Sequence, residues 1–569
     1  MTYTASTALL DALTEAGVSY IFANFGSDHP GLIEAIAEAA ALGRRAPMVI
    51  TCPNEMVALS AAHGYAQATG RAQAVVVHVE CGTQALAGAV HNAARGRVPV
   101  FIFAGMSPFT QEGELPGSRN EFIQWIQDIA DQRGIVRGYV KYDNEIRTAK
   151  NIRQIVRRAM QFAHSDPKGP VYIVGAREVM EEAVEPAPAA GSSSSLAPIA
   201  LPEQWVSEIV TALARAHRPL IVTSYLGRNP AAVDELVQLC NRLGVGVLES
   251  VPSHANYPHG DMLYQGNQWN HPFQNKALAE ADVVVVIDSD VPWIPTVSRP
   301  PSWAAIYHID VDPLKQAMPL WQINAKGAFQ ADAATALRQL NSHLRTIDLD
   351  AEAVSARKRD FGRAHSERAA TLAAQEQPAD GITPEYLTAC LRRRIDPNSI
   401  VLNEGITNYP VICDHMAWSK PGGFFASGGG SLGWNGGAAI GFKLAQPDRD
   451  VVALTGDGTY MFSVPSTVHW MARRYRTPFL QVIYNNRGWK APKFSALAIH
   501  PDGYASRAAD LGLSFDPPPD FAGIATAAGG AFGRAVKRVE DVEDAIAAAL
   551  RAVHEERRAA VLDVHLPGL

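Results

Sequence analysis

Residues 451–454, Val-Val-Ala-Leu, form an apolar run rich in β-branched side chains, the pattern of a buried strand. The run leads into Gly456-Asp457-Gly458. Helical character follows over residues 466–476, and a second apolar run at 479–484 ends in Asn485-Asn486. The same alternation recurs upstream. Residues 7–16 have amphipathic spacing, and residues 20–24 read as a short strand ending at Gly26-Ser27-Asp28. Buried strands are predicted at 74–78, 98–104, 219–223, 245–248, 283–288 and 306–310. Strands alternating with helices predict an α/β fold of doubly wound parallel sheets. Two stretches break the alternation. Residues 186–204 are rich in Pro, Ala and Ser without periodicity, and read as a flexible linker. Residues 345–382 are charged and helix-prone, and read as a helical connection. The chain thus divides into units at 1–185, 205–344 and 383–569.

Composition narrows the class. The 569 residues are 47% hydrophobic and 19% charged, as in an ordinary soluble enzyme. The net charge of −7 is spread among interspersed signs, and acids and bases alternate even in 345–382, which argues against a nucleic-acid partner. The apolar runs are too short to cross a bilayer, and the first residues lack the pattern of a secretory signal. The five cysteines (52, 81, 240, 390, 413) form no CxxC pair, which fits a reducing cytoplasm.

The chemistry lies where the strands end. Asp457 and Asn486 close what read as neighbouring parallel strands, the place where open α/β sheets bind ligands. A carboxylate with an amide oxygen suits Mg²⁺, which also takes oxygens from a phosphate. Glycines there let backbone approach such a group closely. Gly-Asp-Gly, 26 intervening residues and Asn-Asn resemble the thiamine diphosphate motif. Over essentially its whole length the chain resembles the acetolactate synthase, pyruvate decarboxylase and benzoylformate decarboxylase group. That resemblance implies a pyrimidine-binding domain, a central domain and a diphosphate-binding domain. It implies Mg²⁺ held by Asp457, Asn486 and the Gly488 carbonyl. Gly456, Gly458, Thr459 and Thr407 would contact the diphosphate. In the run 426–444, ASGGGSLGWNGGAAIGFKL, it implies that Gly430 and Leu432 meet the aminopyrimidine, Leu432 as an apolar wedge. Glu55 opens Glu-x-x-Ala-x-x-x-Ala-x-Gly-Tyr-Ala and matches the family glutamate that shares a proton with the pyrimidine. Since Glu55 and the metal ligands lie about 400 residues apart, the family pattern implies a homodimer or homotetramer with sites between subunits.

The reaction is less constrained. Ser27 and His78 lie in loops resembling those of benzoylformate decarboxylase that bind the substrate carboxylate and carry a proton. His271, in Trp269-Asn270-His271-Pro272, is a third candidate. These favour decarboxylation or lyase chemistry on a 2-oxo acid or aldehyde substrate, with carboligation. Residues 113–127 instead look like acetolactate synthase-type proteins, which transfer an acyl unit to a second carbonyl compound. A 2-hydroxyacyl-CoA lyase and a silent cofactor-binding homologue also remain open, although retention of Glu55, Leu432, Asp457 and Asn486 argues against silence. A nicotinamide dehydrogenase lacks its Gly-x-Gly-x-x-Gly fingerprint. No flavin signature is visible in the central unit. Residues 489–493 read as a loop whose Lys490 and Lys493 could reach an anion as a lid.

Overall fold

The computed structural model describes residues 2–186, 188, 194–508 and 511–568; the linker expected at 186–204 lies partly outside them. Three six-stranded sheets organise the chain. The first runs Met48–Thr51, Tyr20–Ala23, Ala74–Val77, Val100–Met106, Pro170–Ala176 and Tyr142–Ile146, each neighbouring pair parallel. The third runs Phe424–Phe425, Ile400–Glu404, Val451–Gly456, Leu480–Asn485, Ala560–His565 and Phe532–Val536, again parallel throughout. Inner strands such as Val451–Gly456 are buried along their whole length, because helices cover both faces. Both sheets follow one strand order. In each, the order reverses between two central strands: Tyr20–Ala23 beside Ala74–Val77, and Ile400–Glu404 beside Val451–Gly456. Loops leaving the carboxyl ends at such a reversal diverge and leave a crevice.

These two sheets are joined by close helix packing. Helix Glu55–Thr69 lies against helix Trp434–Ala445, and one apolar core runs through both units. The contact depends on glycine. A Cβ on Gly441 would stand 2.0 Å from the Ala61 carbonyl oxygen, and one on Gly64 would stand 2.4 Å from that of Ala438. Backbones this close leave no room for a methyl group. The first and third units therefore form one packed body, with Glu55 at the start of one joining helix.

The central sheet has a different order: Gly327–Gln330, Ala305–Asp310, Val283–Ile287, Pro219–Thr223, Gly246–Ser250, Tyr264–Gln268. Buried charges fill its own reversal point. Lys315 Nζ lies 2.6 Å from Asp310 and 2.9 Å from Asp290. Arg97, from the first unit, reaches Asp290 at 2.7 Å and ties that unit to the central one. The charged stretch is a long helix, Ala351–Gln375, burying only Arg357 and Phe361. The expected lid loop is instead helical: helix Lys490–Ile499 starts directly after Trp489. Pro492 lies in its first turn, where the missing N–H has no intrahelical partner to lose.

Candidate active site

The third sheet builds half of the site. Asp457 opens a short helix directly after Val451–Gly456 and is 3% exposed. Its Oδ1 accepts from the Gly458 N–H at 2.8 Å, and its Oδ2 from the Gly488 N–H at 3.0 Å. Burial raises its pKa against these backbone donors. Asn486 lies beside this loop, and its Oδ1 is buried without a hydrogen-bond partner among the described residues. A buried carboxylate met only by neutral donors, with a nearby orphaned amide oxygen, is a donor set that lacks a cation. The residues present thus fit Mg²⁺. Across the sheet reversal, Thr407 sits in the 3₁₀ turn Ile406–Asn408. A Cβ on Gly456 would lie 3.9 Å from the Gly405 carbonyl and 3.8 Å from Thr459 Oγ1, so Gly405, Gly456 and Thr459 face one another. The Trp489 ring packs on Gly458.

The glycine-rich loop lies between units. Ser431 exchanges two hydrogen bonds with the Asn92 side chain, at 3.0 and 2.8 Å, and the Gly430 N–H donates to His91 Nε2 at 3.1 Å. Gly430 and Leu432 border a cavity of about 460 Å³ bounded by all three units, with Glu404, Tyr225, Trp269 and Met318 also on its wall. Gly430 itself faces open space, its nearest neighbour standing 3.9 Å from a would-be Cβ.

The first sheet builds the other half. Asn54 caps helix Glu55–Thr69, and Glu55 Oε1 accepts from Asn24 Nδ2 at 2.8 Å. Ser27 follows strand Tyr20–Ala23, and His78 follows the adjacent strand Ala74–Val77, so the sheet reversal brings them together. Between them stands Asp28, which sequence reasoning missed. Its Oδ1 lies 2.5 Å from His78 Nδ1 and 2.9 Å from His29 Nδ1, and its Oδ2 accepts from the Val79 N–H at 3.0 Å. Burial alone would raise the Asp28 pKa, but the two imidazoles outweigh it and hold the carboxyl below its usual range. The hydrogen bond to Asp28 in turn raises His78, with smaller contributions from Gln127 and the Glu55 charge. His78 Nε2 meets Gln127 Oε1 at 2.8 Å. An acceptor facing each ring nitrogen favours the protonated form of the imidazole. The geometry is maintained at a cost: Val79, β-branched, sits at φ +30, a region such residues avoid. Nor is there spare room, since a Cβ on Gly26 would stand 1.9 Å from the His78 ring.

Asp28→Asn is accordingly expected to lower the His78 pKa, because the charge and the strongest hydrogen bond are lost together. NMR titration of the His78 ring checks this without any substrate. An unshifted midpoint would show that Asp28 does not hold the proton.

The remaining candidates lie apart. His271 stacks on Phe273, ring centroids 5.2 Å apart, beside a small separate pocket in the central unit. Its neighbour Trp269 reaches the large cavity and stacks on Tyr409 at 4.2 Å. No hydrogen bond or ion pair among the described residues joins Glu55, Ser27 or His78 to the Asp457 loop.

Two half-sites at matching sheet reversals, one carrying Glu55 and the Asp28–His78 pair and one with a cation-ready carboxylate, define a three-domain enzyme built around a phosphate-bearing cofactor. Three family models cover the chain: the N-terminal TPP binding domain of thiamine pyrophosphate enzymes at residues 3–135, their central domain at 206–340 and their C-terminal TPP binding domain at 405–564. The chain belongs to the thiamine pyrophosphate enzyme family; thiamine pyrophosphate is another name for thiamine diphosphate. It is similar to a probable acetolactate synthase large subunit from Methanococcus aeolicus, 25% identical over 76% of this chain and 73% of the relative. It is comparably similar to the benzoylformate decarboxylase of Pseudomonas aeruginosa, 24% identical over 87% of this chain and 88% of the relative. Its fold matches that of the thiamine diphosphate-dependent 4-hydroxybenzoylformate decarboxylase of Rhodococcus jostii RHA1, with a TM-score of 0.79, 22% identity and coverage of 100% and 99% of the two chains. No helix among the described residues is long and apolar enough to cross a membrane.

Proposed function

We propose that this enzyme uses thiamine diphosphate with Mg²⁺ to decarboxylate a 2-oxo acid, releasing an aldehyde and joining it to a second carbonyl compound where one is present. The observation that carries the reading is the Asp28–His78 pair at the first sheet's reversal point, an imidazole whose pKa is raised by its bond to the carboxylate, with a smaller contribution from Glu55. Its protonated form suits both ends of the reaction. It attracts the substrate carboxylate, and it can give its Nε2 proton to the carbon that loses CO₂, so that one 2-oxo acid and one proton yield one aldehyde and one CO₂. The bound cofactor supplies the electron sink that makes loss of CO₂ possible.

The protein's share is placement. Asp457, Asn486 and the Gly488 carbonyl hold the metal, and Gly456, Gly458, Thr459 and Thr407 hold the diphosphate. Gly430 and Leu432 orient the aminopyrimidine, and Glu55 holds the proton it exchanges. Ser27, half-buried beside Asp28, would hydrogen-bond the substrate carboxylate. His271 could act on substrate only from the central-unit side, where Trp269 reaches the cavity.

Exposed apolar side chains flank both halves. Phe122 is 77% and Ile126 68% exposed beside Gln127, while Phe462 is 50% exposed on the Asp457 helix and Phe494 53% on the helix that follows the Asn486 loop. Large exposed apolar groups around a functional site are the mark of a surface meant to be covered. The reading is that a second copy covers them in a homodimer, with each site shared between chains.

Incubation with thiamine diphosphate, Mg²⁺ and a panel of aliphatic and aryl 2-oxo acids tests the reaction, with products identified by NMR. Aldehyde and CO₂ are expected, with hydroxy ketones when an aldehyde is added. Acetohydroxy acids without free aldehyde would favour the acetolactate synthase-type alternative. No turnover across the panel would remove the reading.

A further inference from the structure

Glu404 is a buried carboxylate that no part of the proposed chemistry uses. It ends strand Ile400–Glu404 at the third sheet's reversal point and is 5% exposed. No cation among the described residues pairs with it. Instead Oε1 accepts from the Trp434 N–H at 3.0 Å and Oε2 from the Asn435 N–H at 2.9 Å. Burial pushes its pKa up to about 7, and the backbone donors of residues 433–435 are what restrain it.

Those donors belong to the first turn of helix Trp434–Ala445, which has no side-chain cap of its own. The N-cap residue is Gly433 at φ +92. The first N–H groups of a helix need an outside acceptor, and an anion is favoured there. Glu404 fills that need from another element, 30 residues earlier in the chain. Gly433 is itself wedged, since a Cβ there would stand 2.6 Å from the Phe462 carbonyl group. Loop 428–432, immediately before it, is thus slung between two anchors. On one side stand His91 and Asn92 of the first unit; on the other stands Glu404. Leu432 is the residue next to the second anchor.

The geometry points to Glu404 as a positioning residue: by holding the start of helix Trp434–Ala445 it fixes where Leu432 and Gly430 present themselves to the cofactor. It touches neither metal nor substrate in this scheme. The inference rests on the reading of Leu432 and Gly430 as the aminopyrimidine contacts. Glu404→Gln has a specific defect. A glutamine amide offers one oxygen for two N–H donors, so its NH₂ group must face the other donor. The helix start is pushed away, and the loop with it.

The test uses full-length protein, wild type and Glu404→Gln, with thiamine diphosphate and Mg²⁺ added. Three quantities are read: cofactor affinity by calorimetry, melting temperature without cofactor, and hydrogen–deuterium exchange at the cofactor's C2 under saturation. The exchange rate per bound cofactor is expected to fall at least tenfold, with affinity reduced and some loss of cofactor-free melting temperature from the unpaired backbone donor. An exchange rate equal to wild type, with only stability lost, would mean that Glu404 is merely structural and would overturn the inference. If wild type binds no cofactor, the functional reading fails first, and that failure shows in the control. If Glu404→Gln is recovered unfolded, Glu404→Asp is read in the same way, since it keeps the charge but withdraws the carboxylate by one methylene.

Discussion

Asp457→Ala is expected to abolish metal-dependent binding of thiamine diphosphate while leaving the fold intact. Asp457 is the one anionic ligand of the proposed metal, and it also closes its own loop by accepting from Gly458 and Gly488. Even residues that only support metal ligands are worth about 10–100-fold in affinity, so loss of the anionic ligand itself sets on the order of 100-fold as a lower bound. Truncation also leaves two backbone N–H groups without their acceptor, at about 1–3 kcal/mol for each that stays dry. Some loss of stability without cofactor is therefore expected beside the binding defect. Asn486→Leu separates the two effects. Its amide oxygen is already unpartnered, so its removal is expected to leave the cofactor-free melting temperature unchanged or higher. Wild type should melt higher when Mg²⁺ and cofactor are added, because ligand binds only the folded state. The Leu variant should not respond. Calorimetry showing equally tight, metal-independent binding by Asp457→Ala would remove the metal assignment.

The third-sheet strands that end at Asp457 and Asn486 were legible because each signal is local. Val451–Gly456 is buried along its length because both its faces are covered, and Asp457 follows it directly. Helix Glu55–Thr69 carries the Glu-x-x-Ala-x-x-x-Ala-x-Gly-Tyr-Ala motif, and what its small residues do becomes plain only in the packing against Gly437 and Gly441. Asp28 was not legible. In sequence it is one more acidic turn residue after Gly-Ser, and its partner His78 lies 50 residues away, joined to it by the sheet reversal. Glu404 was hidden differently, since it pairs with backbone amides and no residue type marks them. The edge of the first sheet opposite Met48–Thr51 escaped as well. Tyr142–Ile146, Tyr-Asp-Asn-Glu-Ile, is too polar to read as a strand, as suits a sheet edge that must resist pairing with other chains. The segment after Trp489 read as a loop because its lysines and proline break an apolar pattern; none of helix Lys490–Ile499 is buried.

Mixing two inactive proteins, Glu55→Gln and Asp457→Ala, is expected to restore activity. Glu55 bonds Asn24 of its own unit, and Asp457 bonds its own loop. The close packing of helix Glu55–Thr69 on helix Trp434–Ala445 fixes these units within a chain, so the two half-sites cannot swing together freely. A second copy related by a twofold axis solves this, because an isologous interface sets the first unit of each chain against the third unit of the other. It would also cover the exposed Phe122, Ile126, Phe462 and Phe494. In a dimer with one chain of each variant, one site combines both substitutions and the other combines neither. Equal mixing with free subunit exchange gives such dimers half the time, and each has one intact site of two. Roughly one quarter of wild-type activity should therefore return if sites are shared across a twofold interface. Native mass spectrometry can confirm that mixed dimers have formed. If they form and no activity appears, each chain carries its own complete site and the shared-site reading is wrong.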